Sequence, residues 1–241
     1  MEDTVKLKHK GNTELIAHRG LSGIETENTN SAFIAAANRS YFGVEGDVQI
    51  TSDGNFVIIH DNTTGRVADV DYVIKKTPFS VLRDLTLKPK SGQPPRSDLK
   101  IPSLEEYISI CRRYGKKAVL ELKNKMESDK INNIMQTIGK ADYLDNTIII
   151  SFHLDNLKVI RKNYPNQTAQ YISYMCDDKV FKSLLALKLD LDIHFGAADK
   201  EIIDKCHKNG IKVNCWTVDN IGDAERLIDY GVDYISTNII E

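Results

Sequence analysis

The chain has 241 residues, 41% apolar and 27% charged, with 14 glycines and 6 prolines, a balance that excludes a largely disordered, collagen-like or low-complexity protein. Against 34 Asp and Glu stand 32 Lys and Arg, a formal charge of -2, so no excess of positive charge recommends nucleic acid as a partner. No apolar run approaches the roughly 18–20 residues that span a bilayer, which argues against integral membrane contact.

Residues 1–14 are polar and lysine-rich, without the apolar stretch of a signal peptide. They predict a cytoplasmic chain, or a secreted or periplasmic one if a leader has been removed. A strand over 14–18 (ELIAH) leads to a helix over 30–39 behind the cap Thr29. A second strand over 43–50 (GVEGDVQI) runs into the hairpin signal Ser52-Asp53-Gly54-Asn55, a return over 56–59, and His60-Asp61. The stretch 63–100 is then polar and irregular, with Ser91-Gly92-Gln93-Pro94-Pro95 a clear loop, and reads as an insertion packed on the rest. Ser103 with Glu106 three residues on forms a capping box that opens a helix over 104–114.

From there strands over 117–122, 147–152, 167–172, 191–195, 211–216 and 232–236 alternate with helices over 128–140, 154–163, 179–188, 200–209 and 221–230. Eight strands separated mostly by helices imply parallel pairing, and eight such repeats are what a (β/α)8 TIM barrel needs. The expectation is one α/β domain over 1–241, with the insertion at 63–100 after the second strand. Only five residues follow the eighth strand, so its closing helix is predicted to be missing or supplied elsewhere. Cys111, Cys176, Cys206 and Cys215 show no C-x-x-C pair or zinc spacing and read as small reduced hydrophobes within apolar segments.

In such a barrel the site lies at the C-terminal ends of the strands, and the reactive residues fall there. His18-Arg19 ends the first strand, Glu45-x-Asp47 lies on the second, and His60-Asp61 ends the hairpin. Glu121-x-Lys123 closes the third strand, Ser151-x-His153 the fourth and Trp216 the seventh. Residues i and i+2 of a strand share a face, so Glu45 points with Asp47, and Glu121 with Lys123. Three inward carboxylates need positive charge. As an all-oxygen set they suit a hard divalent cation such as Mg2+ or Ca2+. Arg19 and Lys123 add two cations for an anionic small-molecule substrate, and His18 and His60 supply imidazoles for base and acid work. Together these groups suit metal-assisted phosphodiester cleavage. Singly, each has a plainer reading: a solvated strand face, a turn histidine, a surface ion pair, a core tryptophan. Only their shared placement at successive strand ends favours a site. His9, His194 and His207 read as structural or surface residues, and His153 as either a site residue or mere pocket lining.

The chain resembles the glycerophosphodiester phosphodiesterases in AHRG (17–20), ENT and SAF (27–29 and 31–33), EGDVQITSDGNFVIIHD (45–61), IPSLEE (101–106), LELK (120–123) and CWTVD (215–219). The resemblance implies a TIM barrel and hydrolysis of glycerophosphodiesters to sn-glycerol 3-phosphate and an alcohol such as choline or ethanolamine. It implies His18 and His60 as base and acid, with a ligand role for His60 as the alternative. It implies Glu45, Asp47 and Glu121 as ligands of one divalent cation, Arg19 and Lys123 as phosphate contacts, and Trp216 against the glycerol or leaving group. Glu27 and Asn28 match the loop that supports the first histidine beside the substrate. The match departs at Ser236-Thr237-Asn238-Ile239, where the family commonly has an acidic residue and a proline. Two other readings stand beside it. One is a related phosphodiesterase acting on lysophospholipids or phosphoinositides, which an apolar rim of Phe79, Val81, Leu82, Leu85 and Leu87 would favour, although helical packing against the barrel explains those residues at least as well; the other is a non-catalytic barrel that binds phosphate esters.

Overall fold

In a computed structural model the chain is described over residues 3–241; the first two residues of the expected domain lie outside that range. Its elements in order are β1 (Glu14–Ala17), α1 (Asn30–Ala37), β2 (Gly43–Ile50), β3 (Phe56–Ile58), α2 (Phe79–Asp84), α3 (Leu104–Arg113) and β4 (Lys117–Leu122). There follow α4 (Ser128–Lys140), β5 (Thr147–Ser151), α5 (Leu154–Asn163), β6 (Ala169–Ser173) and α6 (Asp178–Leu187). The chain closes with β7 (Asp190–His194), α7 (Lys200–Lys208), β8 (Val213–Trp216), α8 (Ile221–Asp229) and β9 (Tyr234–Thr237). Around the sheet the order is β1-β9-β8-β7-β6-β5-β4-β2, and β1 also pairs with β2, which closes eight parallel strands into a TIM barrel. Strand β3 lies antiparallel against β2, as the hairpin signal predicts.

The strand period decides the packing. Leu15 and Ala17 of β1, Val44 and Val48 of β2, and Leu120 and Leu122 of β4 join the core shared with helix residues such as Phe33, Ile108, Ile134 and Leu227. Ile16, Val119, Ile148, Ile150, Ile172 and Tyr234 form a second cluster from the alternate positions, inside the barrel. At roughly 1.5–3 kcal/mol for each fully buried large apolar side chain, these two layers dominate the favourable side of folding. Ser103 caps α3 by accepting from the Glu106 amide, and the Glu106 carboxylate accepts from the Ser103 amide, so the predicted capping box is complete.

Two features depart from simple alternation. The chain after β9 forms no helix; Val5 bridges Ile240 in parallel, and the Glu241 carboxylate accepts from Ser40 and Thr4. The stretch 63–100 is more ordered than its polar sequence suggests. It holds α2 and, with β3 and Ile101, its own cluster of Val57, Ile74, Leu82, Leu87, Leu99 and Ile101. Leu82 and Leu87 are buried there and Phe79 and Leu85 pack against them, leaving Val81 as the exposed member of the apolar rim considered above. Helix α2 is short and follows Pro78, which is why hydrophobic period does not reveal it. Arg83 of α2 grips the Glu106 carboxylate with two hydrogen bonds of 2.7 and 2.8 Å and fastens the segment to α3. Among the described residues no helix is long and apolar enough to cross a membrane.

Candidate active site

The site starts from the Glu-Gly-Asp triplet of β2. Alternation sends Glu45 and Asp47 inward, and Gly46 between them faces out, where the rings of Tyr107 and Phe33 lie against it. A Cβ at residue 46 would stand 3.2 Å from Tyr107 and 3.3 Å from Ile58, so the slot favours glycine. Glu121, level with Asp47 on the neighbouring strand β4, completes a triad. One carboxylate oxygen from each residue lies within 4.8 Å of the others, and all three residues are buried.

Such a triad is unfavourable as bare charge. Burial, with Asp47 and Glu121 alongside, pushes the Glu45 carboxyl well above its usual range; burial and Asp47 do the same to Glu121. Burial alone would raise Asp47 too, but Lys123 and Arg19 beside it pull its carboxyl down. Lys123 Nζ stands 3.1 Å from Glu121 Oε1 and 3.6 Å from Asp47 Oδ1, close enough to pair charge, yet neither oxygen accepts a well-directed hydrogen bond. Oxygen-only donors, excess negative charge and two orphaned buried oxygens fit a hard divalent cation.

The loop after β1 holds this triad in place. Arg19 has a φ of 55°, and its backbone amide donates to Glu45 Oε2 at 2.7 Å. Gly20, at φ 74°, passes so close to α1 that a Cβ would sit 2.6 Å from the Ala32 backbone. The Arg19 side chain lies 3.5 Å from Asp47 and donates to Glu27 at 2.9 Å. Asn28, buried, donates to Asp47 Oδ2 at 2.7 Å. Glu27 and Asn28 thus act on Arg19 and Asp47. Their side chains bond Arg19 and Asp47 rather than His18, and neither lines the central cavity.

His18 is held from the other end of the chain. Its Nδ1 lies 2.8 Å from Asn238 Oδ1, and Asn238 Nδ2 donates to Asp219 Oδ2 at 2.6 Å. Because that nitrogen is spent on Asp219, the amide oxygen faces His18, so Nδ1 carries the hydrogen and Nε2 keeps its lone pair. Burial, with Arg19 nearby, lowers the His18 pKa to about 4, so the ring is neutral at neutral pH. His60 Nδ1 instead meets the Asp61 carboxylate at 2.6 Å, and Asp61 in turn accepts from Arg66 Nε. Arg66 also grips Glu27 through two bonds of 2.8 Å, so the segment after β3 ties the support of His60 to the support of Arg19. Burial lowers the His60 pKa as well, but Asp47 and Asp61 oppose the shift.

A cavity of about 370 Å³ joins these groups. One wall is charged: His18, Arg19, Glu45, His60, Glu121 and Lys123. The other carries Ile150, Phe152, Ile172, Tyr174 and Trp216, with Asp192 and Ser236 among the lining. Trp216 packs edge-on against Phe152 and Tyr174 at 5.5 and 5.4 Å and donates through Nε1 to the Asp192 carbonyl. A larger hollow of about 480 Å³, lined by Gln49, Asn62, Lys75 and Asn124 among others, contains none of the triad or the histidines. Sequence reasoning missed Asp61, Arg66, Asn238 and Asp219 as supports, and Phe152, Tyr174, Asp192 and Ser236 as lining. Asp61 and Asp219 lay within quoted motifs, and Ser236 and Asn238 stood where the match departs, so those four left a trace; the others look like ordinary strand or loop residues. His153, at the N-cap of α5, does not line the cavity, whereas His194 meets Trp216 edge-on at 5.5 Å.

Residues 18–241 match the model of the glycerophosphoryl diester phosphodiesterase family. The chain belongs to that family. With it the protein is a phosphoric diester hydrolase. A glycerophosphodiester phosphodiesterase of Caldanaerobacter subterraneus is 30% identical over 231 residues, covering 94% of each chain. A putative glycerophosphodiester phosphodiesterase of Bacillus subtilis is 29% identical, covering 93% of each. Among solved structures, an Oleispira antarctica phosphodiesterase in complex with the product sn-glycerol-3-phosphate superposes with a TM-score of 0.86. It is 28% identical, with 93% of this chain and 92% of that one covered.

Proposed function

We propose that the protein hydrolyses glycerophosphodiesters to sn-glycerol 3-phosphate and an alcohol. Glu45, Asp47 and Glu121 hold one divalent cation, Mg2+ or Ca2+, and His18 and His60 act as base and acid. The observation that carries this reading is a buried carboxylate triad, within 4.8 Å, two of whose members (Glu45 and Glu121) line the same cavity as two histidines whose Nδ1 atoms are both tied down. Bound there, the cation would supply electrostatic stabilisation of charge on the phosphate oxygens. Arg19 and Lys123 line the same wall and hold the anionic diester against it.

The two histidines divide the proton work by their partners. His18 faces a neutral amide, which does little to favour an imidazolium, so its Nε2 is the base. His60 faces the Asp61 carboxylate, which stabilises the protonated ring, so it is the acid. In the first step the glycerol hydroxyl next to the phosphate gives its proton to His18 and bonds to phosphorus. The bond to the alcohol oxygen breaks, and His60 protonates that oxygen. Water then opens the cyclic phosphate: His60 takes its proton and His18 returns one to the glycerol oxygen. Intramolecular attack gains from high effective concentration. The test is turnover of glycerophosphocholine against an analogue with the neighbouring hydroxyl removed. The intact substrate should give sn-glycerol 3-phosphate and the analogue nothing; equal turnover of the two would overturn the intramolecular route.

A further inference from the structure

The charged wall accounts for the phosphate, and on the opposite wall Ile150, Phe152 and Ile172 offer nothing to a hydroxyl. A glycerol arm presents hydroxyls, and these need polar partners inside the cavity. Asp192 supplies one. It sits on β7 with 2% of its surface exposed and lines the cavity, and its Oδ1 has no hydrogen-bond partner. Asn214, directly across on β8, is tied to Ser236 of β9, with Nδ2 donating to Oγ at 3.0 Å. Ser236 lines the cavity beside Asp192. Trp216 Nε1 takes the Asp192 backbone carbonyl, which leaves the carboxyl to the cavity.

We propose that Asp192, with Ser236, is the specificity-determining floor that hydrogen-bonds the free hydroxyls of the glycerol arm, restricting the enzyme to substrates whose terminal glycerol hydroxyl is not acylated. The inference rests on the proposed function above and sharpens its substrate class. A site built to bond a hydroxyl discriminates strongly against an analogue lacking it, because the buried partner is left unpaired. The carboxyl is a strong acceptor for a hydroxyl wherever it faces the cavity, and its Oδ1 has that capacity free. An acyl chain on the terminal oxygen removes the hydroxyl and brings methylenes to this polar floor. The leaving alcohol then lies toward Phe152, Tyr174 and Trp216.

The test titrates sn-glycerol 3-phosphate and, separately, inorganic phosphate into magnesium-supplied wild type and variants by calorimetry. Asp192→Leu should weaken sn-glycerol 3-phosphate by about 10–100-fold and phosphate by less than about twofold, while Asp192→Asn retains affinity within about fivefold. KM for glycerophosphocholine should follow the first ratio, with kcat within about threefold. Ser236→Ala, a milder change, should cost sn-glycerol 3-phosphate about threefold. Equal loss for both ligands, or none, would overturn the assignment. So would wild-type turnover of lysophosphatidylcholine as fast as glycerophosphocholine. Wild type that turns over neither substrate with magnesium supplied would overturn the parent function along with this inference.

Discussion

The two walls of the cavity come from different halves of the barrel. His18, Arg19, Glu45, His60, Glu121 and Lys123 are carried by the ends of β1, β2 and β4 and by the hairpin strand β3. Phe152, Tyr174, Asp192, Trp216 and Ser236 are carried by β5 to β9. The first wall is a web of mutual support, in which Asn28 holds Asp47, Arg19 holds Glu45, and Arg66 joins Glu27 to Asp61. On the second wall, contacts between aromatic rings predominate, and Tyr174 is 65% exposed. The contrast separates roles: groups that handle charge and protons must be over-determined, whereas groups that shape a pocket need only surface and volume.

The sharpest break of this contrast is metal removal. Chelation should abolish turnover of glycerophosphocholine, and Glu45→Gln should weaken rescue by added Mg2+ or Ca2+. EDTA-resistant turnover would leave the charged wall without its central task. Next in size, His18→Ala should lower kcat by about 10²–10⁴, with thermal unfolding nearly unchanged; a large loss of stability would make it a structural residue. Asp61→Asn should lower kcat by about tenfold and shift the pH profile, because His60 loses the carboxylate that favours its protonated form. No change in the profile would remove Asp61 from the proton path.

Stability against pH tests the same wall without turnover. In the cation-free protein Glu45 and Glu121 hold protons that the unfolded chain has released, with Glu121 raised from 4.5 to about 8. Their contribution to stability therefore falls as pH rises through that window. The rise in Tm on adding divalent cation should be larger at pH 8 than at pH 5; an equal rise would mean that the cation binds elsewhere. The smallest effect belongs to the other wall. Tyr174→Ala should raise KM by about two- to fivefold with kcat within about twofold, since its ring gives surface to the leaving group and takes no proton. A kcat loss as large as that of Asp61→Asn would erase the distinction between the walls.

Legibility in the sequence followed the same division. The eight strands and seven of the helices stand within two residues of the ends read from periodicity and caps, because strand and helix periods are local properties of the chain. The charged wall was legible because its chemistry demands particular residue types at i, i+2 spacing: Glu45 with Asp47, Glu121 with Lys123. Trp216 alone stood out on the far wall. Asp192, Tyr174 and Phe152 look in sequence like any strand residues, and only closure of the barrel turns them inward on one cavity. Helix α2 and the small core over 63–100 did not show for a related reason, since a six-residue helix is too short to display a period and its core draws on Val57 of β3 and on Ile101.

By itself the amino-acid order determined the alternation of elements, the parallel barrel, and which short motifs bring carboxylates and imidazoles to strand ends, since each depends on neighbours within a few residues. Tertiary structure decided who supports whom. His18 is oriented by Asn238, 220 positions away, and Arg66 of the segment after β3 links two loops of the charged wall. Partners that distant leave no local period in the chain, and their contact exists only once a sheet of eight strands has closed on itself.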